Sequence, residues 1–209
     1  MPHIETADVG RSFGRRALVA GGAGLAITGS ALGSGPGTAA ASSEVGDPVP
    51  ADVYAAICQL KANYVTATDS LPFPNTADRA RALYRATYTP DAESSAGYDP
   101  SAPDFVVHGP DELFDALHAG LAPFSGSQHN VGVIHVEMSD ARASRNRSAL
   151  ITAHVLVTLV SRATMDITRI VATYHDEVER LRGRWWVTRS FAQYLATEAA
   201  TRIQPAAMS

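Results

Sequence analysis

The chain has 209 residues, 45% of them hydrophobic and 18% charged, with a net charge of −4. This supports one ordinary domain with a real core, excludes a largely disordered chain, and gives no basic surplus for binding nucleic acid. No apolar run reaches the roughly 18 residues of a membrane-spanning helix, and the single cysteine, Cys58, allows no intrachain disulfide.

Residues 1–41 stand apart from the rest. Arg15-Arg16 precede a weakly apolar, Gly/Ala-rich run to about Leu32, and Ala39-Ala40-Ala41 offer small residues to a peptidase. This resembles a twin-arginine export signal, and it implies a secreted or periplasmic mature protein. Gly14 and Leu18 depart from the residues usual at those positions. Residues 42–50 read as a linker, 51–197 as the folded domain, and 198–209 as a tail.

The first helix is expected over about Ala51–Thr68. Val53, Ile57, Leu60 and Tyr64 recur at helical spacing, so one stripe faces a core, and Asp69 ends the helix before Leu71-Pro72-Phe73-Pro74. A second helix follows Asn75 or Thr76, with Ala80, Leu83, Tyr84 and Thr87 on its inner face. Thr89-Pro90-Asp91 marks a turn. The stretch from Ala92 to His108 is rich in Ser, Gly, Pro and Asp and reads as loop, with Phe105-Val106-Val107 as a possible edge strand. A third helix begins at Gly109-Pro110-Asp111-Glu112, with Leu113, Phe114, Leu117 and Leu121 on its apolar face.

Beyond Gly126 the periodicity changes from 3.6 to 2. Four strands are expected: His129–Met138, Arg147–Val160, Thr168–Arg180 and Arg184–Tyr194. In the second strand the odd positions from Ala149 to Leu159 are all apolar, while the even positions are mixed and include Thr152, His154 and Leu156. One face packs; the mixed face is expected to line a cavity. In the third strand His175 alternates with Thr173 and Glu177 toward water, which turns Tyr174 and Asp176 inward. Helices followed by strands define an α+β domain with three helices packed on one face of an antiparallel sheet.

Four segments carry a family resemblance: Tyr64-Val65-Thr66-Ala67-Thr68-Asp69, Gln128-His129-Asn130-Val131-Gly132, Tyr174-His175-Asp176-Glu177-Val178-Glu179-Arg180 and Gly183-Arg184-Trp185-Trp186-Val187. Over about Ala51–Leu195 the chain resembles the SnoaL-like family of the nuclear-transport-factor-2-like superfamily. The resemblance implies a cone of helices against a curved, mixed sheet that encloses a pocket, a homodimer paired through the outer sheet face, and a small-molecule ligand. Trp185 or Trp186 could anchor such a dimer. The stretch from Pro90 to His108 is longer than is usual in the family.

In such a cone the end of the first helix faces the family's histidines. Asp69, His129, His154 and Tyr64 are therefore the candidate catalytic residues, and Tyr174, Asp176, Thr152 and Leu156 the candidate substrate contacts. A carboxylate beside an imidazole suits acid–base chemistry, and a tyrosine can stabilise an enolate by hydrogen bonding. The expected activity is that of a lyase or cyclase, dehydratase-like, with no cofactor. The alternatives are a non-catalytic ligand-binding protein and a purely structural dimer module. The same two histidines and Asp69 suit zinc or iron by ligand type, but no tight spacing supports a metal centre, and none is expected.

Overall fold

The computed structural model describes residues 49–139 and 148–200. The expected export signal, most of the linker and residues 201–209 lie outside the described residues. Three helices, α1 (Ala51–Ser70), α2 (Ala77–Thr87) and α3 (Gly109–Leu121), pack on one six-stranded sheet. The strands are β1 (Tyr88–Gly97), β2 (Phe105–His108), β3 (Phe124–Met138), β4 (Ser148–Ser161), β5 (Ile167–Leu181) and β6 (Arg184–Ala200). Their spatial order is β2-β1-β6-β5-β4-β3. All neighbours are antiparallel except β1 and β6, which run parallel, so the sheet is mixed.

Burial follows periodicity. Val53, Ile57 and Leu60 of α1 are 4%, 0% and 5% exposed, and Tyr84 of α2 is fully buried. Leu113, Phe114 and Leu121 of α3 close the same core. Each large side chain withdrawn from water in this way contributes roughly 1.5–3 kcal/mol of transfer free energy. On β4 the whole odd face, from Ala149 to Leu159, is buried beneath the helices. Register shifts in β3 between Val131 and Ile134, and in β5 and β6 near Val171 and Val178, bend the sheet around this core. Arg182 and Gly183, with φ of 50° and 85°, make the tight β5–β6 turn.

The stretch expected to be turn and loop from Thr89 is instead β1, an internal strand; together with β2, which falls on the edge strand expected at Phe105-Val106-Val107, it brings the sheet to six strands rather than four. Its inward residues Ala92, Ser94 and Ala96 are small because α3 lies against them, and small residues carry little hydrophobic signal. Pro90 is accommodated because the pairing with β6 shifts between Tyr88 and Glu93, where no ladder donor is needed. Gly109 begins α3 at φ 75°; a Cβ there would lie 2.6 Å from the Pro90 carbonyl oxygen. The helix α1 continues one turn position past Asp69 to Ser70, and β6 continues past residue 197 to Ala200. Trp185 is buried, whereas Trp186 on the other face is half-buried, with the Arg184 guanidinium 4.3 Å from its ring centre.

Candidate functional site

Between the helices and the inner sheet face lies a cavity of about 150 Å³. The α3 side is apolar, with Leu113, Leu117 and Leu121, and is continued by Val157, Leu159 and Ile170 of the sheet. The opposite side is rich in hydroxyls: Tyr64, Tyr88, Tyr174 and Tyr194, with Ser94 and Ser190. His129 is the one imidazole among the described residues that line it.

Asp69 sits in the last turn of α1, directly opposite the start of β3. Its Oδ2 accepts the His129 backbone N–H at 2.8 Å, its Oδ1 lies 2.6 Å from His129 Nδ1, and Ser127 donates to Oδ1 at 2.9 Å. Burial alone would raise the Asp69 carboxyl. The hydrogen bonds of His129, its charge when the ring is protonated, and the Ser127 hydroxyl outweigh it and hold the group below the ordinary carboxylate range. The Nδ1 contact places that nitrogen's proton toward the carboxylate. Nε2, which has no protein partner among the described residues, is then the lone-pair nitrogen offered to the cavity.

Tyr64 lies edge-on to both His129 and Tyr174, with ring centres 5.9 and 5.8 Å apart. Burial pushes its phenol up to about 12, so it stays a donor at neutral pH. Tyr174 and Tyr88 are driven well above the ordinary tyrosine range by the same burial. Behind Tyr174, Asp176 of β5 is 2% exposed; it pairs with the buried Lys61 of α1 and accepts a hydrogen bond from Ser190 at 2.7 Å. Removing one member of such a pair strands a buried charge and typically costs about 3–5 kcal/mol.

The structure therefore brings together Asp69, His129, Tyr64 and Tyr174, and sets Asp176 one layer behind the cavity wall. It does not bring His154, Thr152 or Leu156 to the cavity. Their face of β4 is the outer one, and His154 is exposed, with Nδ1 3.3 Å from the Thr173 hydroxyl. The expectation that the mixed face lines the cavity is corrected: the helices cover the wholly apolar face, and the mixed one meets solvent. Thr152 lines a separate open groove on the outer face, beside His175 and Arg189. The metal set of His129, His154 and Asp69 is not assembled, since His154 lies across the sheet. Ser127, Ser190, Tyr88 and Lys61 went unrecognised in the sequence. Only Lys61 left a signal there, as a lysine lying four residues after Ile57 on an otherwise apolar helical stripe.

The model of the SnoaL-like domain matches residues 50–190 of the chain. The chain belongs to the SnoaL-like domain family. No curated protein matches it. Among solved structures, the Kfla4162 protein of Kribbella flavida is 21% identical, with TM-score 0.55 over 69% of this chain and 92% of that one. The hexachlorocyclohexane dehydrochlorinase LinA-type3 of Novosphingobium barchaimii is 17% identical, with TM-score 0.58 over 73% and 94%. A candidate scytalone dehydratase from Novosphingobium aromaticivorans is 21% identical, with TM-score 0.53 over 73% and 94%. At these identities the likeness is one of fold. The SnoaL-like domain thus supplies the cone, and the side chains within it decide the chemistry.

Proposed function

We propose that this SnoaL-like domain is a lyase or cyclase that works by acid–base chemistry on a small, oxygenated, largely apolar molecule. The observation that carries the reading is the Asp69–His129 pair, 2.6 Å apart, whose imidazole lines a cavity walled by apolar side chains and hydroxyls. His129 Nε2 accepts a proton from a carbon or hydroxyl of the substrate. Asp69 fixes the ring and stabilises the imidazolium that forms. Tyr64, still protonated, donates to the oxygen on which charge develops. In an elimination the electron pair of the broken C–H bond forms the new double bond as the leaving group departs. The fold neighbours described as a dehydrochlorinase and a scytalone dehydratase support elimination as the reaction class.

The test begins with native mass spectrometry of protein purified from its own host, which identifies the bound molecule. That molecule is then offered to the wild type and to His129→Ala. A positioned base contributes roughly a hundredfold or more, so turnover should fall at least that far while the fold persists. A ligand that both proteins bind and return unchanged would replace the enzymatic reading with that of a binding protein.

Two further proposals concern the protein's setting. The outer sheet face, where Leu150, Leu156 and Val171 are 51%, 38% and 45% exposed, supports pairing with a second copy. The Arg15-Arg16 pair and the alanines at 39–41 support export by the twin-arginine route.

A further inference from the structure

Lys61 has no part in the acid–base chemistry above, yet it is 4% exposed and lies in the core beside the cavity wall. Stability alone does not account for it. A buried ion pair replaced by apolar residues of similar volume often leaves a protein equally or more stable. The surroundings of the ammonium are specific. Nζ is held by Asp176 and lies 4.8 Å from the ring centre of Tyr174 and 5.4 Å from that of Tyr64. Those two rings both line the cavity and meet edge-on, with centres 5.8 Å apart. A desolvated cation against an aromatic face draws electron density from the ring. In a phenol that loss strengthens the O–H as a hydrogen-bond donor. Asp176 also fixes Ser190, another lining hydroxyl, so one buried carboxylate organises three groups of the polar wall.

We infer that Lys61, held by Asp176, is a positioning residue that arms Tyr64 and Tyr174 as a paired donor site for the oxygen of a neutral carbonyl compound of about one ring. The size follows from the cavity: a volume of about 150 Å³ accommodates a molecule such as benzene. Neutrality follows from the lining, which among the described residues includes no Lys, Arg, Asp or Glu. The inference rests on the cavity being the ligand site of the reading above, but not on turnover.

The experiment compares benzaldehyde with styrene, which match in shape and differ in whether they accept a hydrogen bond. Kd values are measured for the wild type and for the double variant Lys61→Met/Asp176→Asn, which removes both buried charges together and leaves Ser190 an acceptor. The wild type should prefer benzaldehyde. The double variant should weaken benzaldehyde about tenfold, the loss of roughly one hydrogen bond's net contribution, and leave styrene within about twofold. Equal weakening of both probes, or no change in either, overturns the inference, as does a wild type without the preference. If the double variant does not fold, proton NMR of the wild type decides. The Lys61 Cε protons should lie upfield of their ordinary position, shifted by the two rings, and an ordinary position overturns the assignment. Because neither readout involves catalysis, an inactive His129→Ala and an unarmed phenol pair are distinguishable failures.

Discussion

The Asp69 carboxylate holds His129 at two points, the backbone N–H at 2.8 Å and the ring Nδ1 at 2.6 Å, so one side chain ties the end of α1 to β3 and sets the imidazole tautomer. Asp69→Asn keeps the shape but loses the charge. Turnover should drop about a hundredfold or more. Stability should drop by about 2 kcal/mol, typical of hydrogen bonds to a charged group. The pH dependence has a definite sign. The folded carboxyl lies below its unfolded value of 3.8, so its stabilisation is fully present above that value and is lost as pH falls through the lower folded one. The gap in melting temperature between wild type and Asp69→Asn should therefore be wide at about pH 7 and narrow below about pH 4. A gap that does not change with pH would refute the ionised Asp69 carboxylate.

His154→Ala should behave as a surface substitution. The side chain is exposed on the outer face, and its one side-chain hydrogen bond among the described residues, to Thr173, is 3.3 Å long. A stability change within about 0.5 kcal/mol is expected, with turnover near that of the wild type. A large loss of activity with the fold intact would mean that the outer face takes part in the chemistry.

The contrast between His129 and His154 shows what the sequence made legible. Alternation in β5 correctly turns Tyr174 and Asp176 inward and His175 outward, because each face of that strand has its own polarity. In β4 alternation separates the faces but does not say which one the helices cover, so it cannot tell that the mixed face carrying Thr152, His154 and Leu156 meets solvent. Pattern also fails in β1, where Ala92, Ser94 and Ala96 are buried by close approach to α3 rather than by hydrophobicity. The partnership of Lys61 with Asp176 spans two elements far apart in sequence, and no local rule reports such a pair.

The outer face yields a prediction about association. Leu156 and Val171 are directly paired across β4 and β5, and both are exposed. Light scattering at micromolar concentration should give the mass of a dimer, and Leu156→Glu/Val171→Glu should give a monomer with an unchanged circular dichroism spectrum. A wild type that is already monomeric would end the proposal.

Export is tested through Arg15 and Arg16. Replacing both with lysine keeps the charge but removes the guanidinium pair a twin-arginine route reads. The protein should then accumulate inside the cell at its full length. Normal appearance of a shortened form outside would count against the twin-arginine route.

The alkaline limb of stability tests the burial of Tyr64 within the site. Its phenol is raised from 10.0 to about 12, chiefly because burial disfavours the phenolate. A group whose folded value is raised contributes stability that is intact below the unfolded value, here 10.0, and is lost as pH rises toward the folded one. Tyr84, Tyr88 and Tyr174 are shifted the same way, so the wild type and Tyr64→Phe should both soften in strong alkali. The wild type should soften more. Phenylalanine keeps the edge-on packing against His129 and Tyr174 but has no proton to lose. Melting temperatures taken in steps from about pH 9 to about pH 11 should therefore converge for the two proteins as the pH rises. Parallel curves would mean that the Tyr64 hydroxyl is already in contact with bulk water. Such a hydroxyl could not be the desolvated donor that the proposed chemistry requires.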